Sequence, residues 1–288
     1  MTLTTSRPPA VTARGTATRP RRTGRQWPLT VLLALVSILT VSPFLVMLIL
    51  ALSPPRELTV PHQWPDSLTF DNLIQTLTSA GFVGWTLNSL IYAGVSVVII
   101  LLTASMAGYA FAKKRFPGRD ALMWALLATV MVPFQAMLIP MFVMVSSLDG
   151  VDTFWGMIVP TLANSQAVFL MRQFIKDLPD ELFEAAKVDG ASEWRIYWQI
   201  VVPLTKPILA TLGIFVFLWH WNDFLWPLVV AQSDELRTLT VGLTTLKGEE
   251  HPLSLVMASA VISVVPCLLV FFLLQRYLVN SIAMTGLK

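Results

Sequence analysis

The sequence predicts an all-α fold, a polytopic membrane protein with six transmembrane helices and a helical loop projecting from one face. Three observations carry this prediction. Hydrophobic residues make up 55% of the 288 residues and charged residues only 13%, with a mean hydropathy of +0.67, whereas a typical soluble domain is about 25% charged. The apolar residues gather into long uncharged stretches, each able to cross about 30 Å of hydrocarbon as a helix. Basic residues concentrate on alternate connections between those stretches, the pattern that fixes orientation during insertion.

The elements follow in chain order. Residues 1–26 are rich in Pro, Thr, Arg and Gly and lack apolar periodicity, which predicts a disordered basic tail. A first transmembrane helix occupies 27–52, its apolar run near 28–52. Arg21 and Arg22 before it resemble the start of a signal peptide, but the run far exceeds a signal core of about 7–15 residues and Ser53, Pro54 and Pro55 follow without a cleavage pattern. It reads as a retained anchor. An external loop, 53–84, carries Pro54, Pro55, Pro61 and Pro65 and then an amphipathic piece over 70–77. A transport core, 85–280, holds spans near 86–112, 121–146, 154–171, 207–231 and 255–279, with a loop at 172–206. A C-terminal tail, 281–288, closes the chain.

With the N-terminal tail placed inside, all of the 20 Lys and Arg except Arg56, Arg237 and Lys247 fall on the cytoplasmic side. Both termini are therefore expected in the cytoplasm. These cations flank hydrophobic segments and form no aromatic-interleaved patch, so membrane lipid and not nucleic acid explains the pI of about 9.2. The single cysteine, Cys267, has no disulfide partner in the chain.

The loop at 172–206 is the most informative connection. Asp180 after Pro179 is placed to cap a helix carrying Leu182, Phe183, Ala185, Ala186 and Val188, with Gly190 as its stop. A second helix starts from Ser192, carries Trp194, Ile196, Tyr197, Trp198, Ile200 and Val201, and is expected to end at Pro203. The hairpin is unusually apolar for water. Periodicity alone leaves two readings open, a partner's groove and an interfacial helix on lipid headgroups.

The residue order favours the first. Glu184, Ala185, Ala186, Gly190, Ile200, Val202 and Pro203 resemble the cytoplasmic loop of bacterial ABC importer permeases: Glu-Ala-Ala, three residues, Gly, nine residues, Ile, one residue, Leu, Pro. Val202 in place of Leu is the one departure. Lys187, Val188, Asp189, Gly190 and Ala191, together with Asn88, Ser89 and the run from Trp221 to Leu228, are similar to the carbohydrate, maltose-type branch. The C-terminal stretch also looks like the family's tail, except that Asn280 stands where a glycine is usual. The resemblance implies a type I ABC importer permease: a binding-protein-dependent inner-membrane component that pairs with a second permease subunit as a heterodimer, two ATPase subunits and an extracytoplasmic substrate-binding protein. It also implies that Glu184, Ala185, Ala186, Asp189, Gly190, Ile200 and Pro203 couple the chain to the ATPase, with Glu184 meeting a basic group and the alanines letting the helix seat closely. The implied localisation is the bacterial inner membrane.

Asp223 is the only acidic residue deep in an expected span, with His220 and Asn222 beside it and Trp219, Trp221 and Trp226 around it. Intramembrane ionisable groups are costly and usually face a cavity or a partner. Polar side chains among aromatics suit a sugar, so Trp219, Asn222, Asp223 and Trp226 are candidate pathway residues; pinning one helix to another is the competing role. Pro133, Pro140, Pro160, Pro227 and Pro266 fall within or at the ends of spans, where they bend helices.

Rival functions find less support. A secondary transporter commonly needs several intramembrane carboxylates. The 3 histidines are scattered without metalloprotease spacing. No phosphate-cradling Gly-x4-Gly-Lys-Ser/Thr occurs, so ATP and Mg are expected on the partner ATPase and no cofactor or catalytic residue on this chain. The external segments hold more acids, among them Asp149, Asp152, Asp234 and Glu235, than bases. That balance favours neutral sugars over the glycerol-phosphate compounds some relatives carry.

Overall fold

The computed structural model describes residues 27–54, 65, 67–248 and 251–285. The expected disordered tail, most of the proline-rich stretch and the last three residues lie outside them. Two compact units emerge, residues 1–45 and 46–288.

Within the first unit lies most of helix α1 (Trp27–Ala51), which carries no acidic or basic residue in its end turns. The hydroxyls of Ser37 and Thr40 donate 2.8 Å bonds to the carbonyls of Leu33 and Val36, one turn earlier. Each polar side chain is thus satisfied inside its own helix, which hydrocarbon requires.

The second unit is built on α3 (Ala80–Lys113), one continuous helix of 34 residues that starts at Ala80, where a start near 86 is expected. Before it, α2 (Asp71–Thr78) realises the amphipathic piece, and its buried Asn72 donates to the carbonyls of Ala51 and Ser53 at 2.9 and 2.7 Å. Helix α3 packs chiefly on α7 (Ser165–Lys176) and α10 (Val202–Trp221), and α10 in turn on α13 (Leu253–Thr285). The α3–α7 approach requires Gly108, because a Cβ there would lie 2.7 Å from Met171 Cβ. Small residues let helices approach closely where lipid offers no hydrophobic drive.

Among the described residues four helices are long and apolar enough to cross a membrane, and up to six spans result when each bent pair counts as one. This is the expected number. Two bends and one interruption, however, break three of the expected uniform spans. The span near 121–146 is α4 (Arg119–Val130) and α5 (Phe134–Ser147), meeting at 100°. Pro133, extended at φ −65 and ψ 134, separates them, since proline also drives the residue before it away from helical geometry. The span near 154–171 divides into α6 (Phe154–Ile158), a 3-10 turn containing Pro160, and α7, with a bend of 46° and an end at Lys176. The span near 207–231 ends as α10 at Trp221 and resumes as α11 (Leu225–Val230). Helix α12 (Leu239–Gly248) precedes the last span.

Candidate functional site

Two regions gather the residues singled out by sequence. The first is the hairpin of α8 (Asp180–Val188) and α9 (Glu193–Ile196). Pro179 is the N-cap of α8 and no side chain caps the helix, so Asp180 does not take the capping place expected of it. Asp180 instead opens the first turn, favourable for the helix dipole, and its carboxylate lies 2.6 Å from Lys113 Nζ at the end of α3. The hydrogen bond and charge of Lys113 hold the Asp180 carboxyl below its usual range.

The end of α8 closes as a Schellman turn: Gly190 N–H bonds to Lys187 O at 3.0 Å and Ala191 N–H to Ala186 O at 2.9 Å. Gly190 has φ +74, the left-handed value this turn demands. Ser192 Oγ then caps α9 by accepting from Arg195 N at 3.3 Å, as expected.

The hairpin does not end at Pro203. After α9 the backbone makes a π turn over Tyr197–Val201 and continues directly into α10, with Pro203 in its first turn. A widened turn leaves room for the pyrrolidine ring and needs no N–H at that position, so the helical path survives a proline that would break a regular helix.

Part of the hairpin's apolar surface is spent within the chain. Phe183, Ile196, Tyr197 and Val201 are buried in the core formed with Ile100, Ala104, Tyr109 and Met171, and Ala186 and Ile200 pack against it. The outward side presents Leu182, Glu184, Ala185, Val188, Asp189, Gly190, Trp194, Trp198 and Pro203. Val188 is the extreme at 87% exposure.

Sequence reading missed the residues that hold this hairpin. Lys113 Nζ donates 2.6 Å bonds to Leu178 O and Asp180 Oδ1, and lies 4.9 Å from the Phe183 ring centroid. Lys114 pairs with Glu193, the first residue of α9, and lies over the Tyr109 ring. Tyr109 Oη donates to the same Glu193 carboxylate at 2.9 Å, and the Tyr197 and Ser105 hydroxyls meet at 2.6 Å. In the sequence both lysines register only as charges that set orientation.

The second region is the break between α10 and α11. Tyr92 Oη on α3 donates to Asp223 Oδ2 at 2.8 Å, and Thr240 Oγ1 donates to Asp223 O at 2.7 Å. His220, 1% exposed, has Nδ1 2.8 Å from Val216 O and Nε2 3.2 Å from Thr161 Oγ1, with the Tyr92 ring edge-on at 5.0 Å. Trp226 is fully buried and donates its indole N–H to Met157 O at 3.0 Å. Asn222 is exposed with its amide on Leu218 O at 2.7 Å, and Trp219 is half exposed, edge-on to Phe134. The structure therefore brings the four candidates to one turn, but only Trp219 and Asn222 present open faces. Asn88 and Ser89 sit nearby on α3: Asn88 Nδ2 donates to Glu235 O and Arg237 O at 2.7 and 2.9 Å, and Ser89 Oγ accepts from Leu239 N at 2.8 Å.

Comparison with known proteins agrees with this architecture. Residues 100–284 match the family described as binding-protein-dependent transport system inner membrane component. The arabinooligosaccharides transport system permease protein AraQ of Halalkalibacterium halodurans is 36% identical over 271 residues, covering 91% of this chain and 96% of that protein. The lactose transport system permease protein LacG of Rhizobium radiobacter is 33% identical over 86% of this chain and 92% of its own. The sn-glycerol-3-phosphate transport system permease protein UgpE of Yersinia pestis is 31% identical over 80% and 83%. A chain from the crystal structure of a bacterial ABC transporter involved in the import of the acidic polysaccharide alginate shares the fold, with a TM-score of 0.77 at 24% identity over 87% of this chain and 95% of that one. The chain belongs to the family of inner membrane components of binding-protein-dependent transport systems, as one of their membrane-spanning permease subunits.

Proposed function

We propose that this chain forms half of the translocation pathway of an ATP-driven carbohydrate importer and receives mechanical work at the α8–α9 hairpin. ATP and Mg would be held by two partner ATPase subunits, the other half of the pathway by a second permease, and substrate would arrive on an extracytoplasmic binding protein. The hairpin and both termini would face the cytoplasm. The observation that carries the reading is the outward face of α8: Glu184 and Ala185 stand free beside Leu182 and Val188 while Phe183 anchors the opposite face. A helix fixed from behind with an apolar, sterically small front fits a cleft in a separate subunit. Closure of the two ATPases would push the hairpin and rock the spans between inward and outward openings.

Gly190 supplies the test. A Cβ at Gly190 meets nothing within 4 Å in this chain, so the Gly190→Asp change costs its own fold only the left-handed backbone strain, about 1–2 kcal/mol. Against a partner's cleft the added carboxylate would clash. The variant should insert and assemble yet lose transport and leave ATP hydrolysis uncoupled; unimpaired uptake by a normally assembled variant would refute the reading.

At the second region, Trp219 and Asn222 would meet the substrate, with Asp223 and the buried Trp226 shaping the turn that presents them. AraQ and LacG serve sugars by name, and the acidic balance of the expected external segments suits a neutral cargo. UgpE supports a glycerol-phosphate cargo as the second reading. Ligand screening on the cognate binding protein separates the two, because a phosphorylated polyol and a neutral sugar would not share its site.

A further inference from the structure

We infer that α3 is the arm through which the hairpin moves the Asp223 turn, with Lys113 and Lys114 as positioning residues that grip the two hairpin helices separately. This rests on the proposal that the hairpin docks on an ATPase, and it names how the motion would leave the hairpin.

The geometry is specific at both ends of the helix. At the hairpin end two consecutive lysines diverge. Lys113, 8% exposed at its side chain, holds the carbonyl end that follows α7 and the first turn of α8. Lys114 holds the first turn of α9 through Glu193, which Tyr109 also grips. Each hairpin helix is therefore fastened by its own first-turn carboxylate, and the ring of Phe183 lies against both Lys113 and Tyr109. A push on either helix reaches the end of α3 through these contacts, Lys113 being its last residue and Lys114 its C-cap.

At the other end of the same helix Asn88 and Ser89 hold the backbone of residues 235–239, and Tyr92 holds the Asp223 carboxylate. Thr240 closes the arrangement by binding Asp223 O. Tyr92 and Lys113 lie roughly 30 Å apart along an uninterrupted α-helix rising about 1.5 Å per residue, and α3 contains no proline. It lacks the internal proline that α5, α10 and α13 each carry and that would bend it. Packed side chains and rigid elements carry coupling of this kind, and proof requires a measured coupling, not mere spatial continuity.

The experiment uses the full transporter, this chain purified with its second permease and ATPase and placed in lipid nanodiscs. Cys267→Ala removes the native thiol and Asn222→Cys provides a reporter at the far turn. Its maleimide labelling rate is compared in the nucleotide-free state and after trapping with ATP and vanadate. Trapping should change the rate; Lys114→Glu should shrink that change at least about fivefold, the low end of ordinary coupling factors, and Glu193→Lys added to it should restore the switch. A Lys114→Glu complex that switches fully, or a reporter indifferent to trapping in the otherwise native complex, overturns the inference. Where Lys114→Glu does not assemble, Lys114→Gln is read the same way: loss of the switch supports the arm and an intact switch overturns it. A crosslink from Val188→Cys to the ATPase is scored in parallel. Its absence sinks the docking proposal itself, whereas its presence with an intact Lys114→Glu switch sinks only the arm.

Discussion

Trp226 is fully buried with its indole hydrogen-bonded, and Trp219 is half exposed, so the same replacement by alanine has different consequences at the two sites. Trp226→Ala leaves a large cavity and an unpaired Met157 carbonyl and should cost about 3–5 kcal/mol, read as lower yield and a lower unfolding temperature in detergent. Trp219→Ala removes a half-exposed ring that meets Phe134 and His220 edge-on; it should lower the unfolding temperature clearly less than Trp226→Ala and lower uptake. An equal or larger loss of stability at Trp219, or none at Trp226, would contradict the assignment of support to one and contact to the other. Sequence composition singles out both tryptophans together because an intramembrane Asp223 surrounded by aromatics is rare. It does not separate them, because which ring turns inward depends on the break at 222–224, and nothing in the local spacing marks that break. Gly190 is legible for the opposite reason: the left-handed turn it serves is a local property of four residues. Lys113 and Lys114 were hidden, since their partners Asp180 and Glu193 lie far along the chain and only tertiary packing joins them.

Helices α3 and α7 meet with no room to spare at Gly108, and α7 ends three residues before the hairpin begins. A Cβ at Gly108 would stand 2.7 Å from Met171 Cβ and 2.9 Å from Arg172 N, whereas one at Gly94 on the same helix meets nothing within 4 Å. Gly108→Ala should therefore force the two helices apart at an overpacking cost of about 1–3 kcal/mol, while Gly94→Ala should be neutral or slightly stabilising through reduced chain entropy. Thermal unfolding of the two purified variants distinguishes them, and equal stability would refute a close α3–α7 approach at Gly108. The elements themselves were readable as apolar runs and as the Pro179, Gly190 and Ser192 punctuation of the hairpin. The bends were less so. Pro133 and Pro160 mark two of them, but a proline in a membrane helix is compatible with a kink or with a break, and no periodicity reports that the turn between α4 and α5 reaches 100°. Pro203 is the instructive miss: the rule that proline ends a helix fails where a π turn has already opened the hydrogen-bond ladder.

At the scale of the molecule, the helices were predictable from hydropathy because hydrocarbon permits only internally bonded segments, while the sidedness rests on charge alone. Lys113, Lys114, Arg115 and Arg119 flank the hairpin region, and Asp149, Asp152, Asp234 and Glu235 cluster on connections at the other ends of these helices. The acidic loops are tied together in the fold: Asp152 Oδ1 accepts from Ser233 N at 3.0 Å and Ser233 Oγ at 2.9 Å, and Asp152 N donates to Val230 O. They must therefore share one side of the membrane. If basic segments stay inside, a Val188→Cys thiol in a cell expressing the Cys267→Ala chain should react with a membrane-impermeant maleimide only after the membrane is inverted or opened, and Gln232→Cys should react in intact spheroplasts. Both positions are exposed in this chain, so a failure to label from either side would report burial by a partner, whereas labelling with the two sides exchanged would overturn the orientation. The reversed result would also place the α8–α9 hairpin beyond the reach of any cytoplasmic ATPase, leaving the grip of Lys113 and Lys114 on its two helices without a source of work.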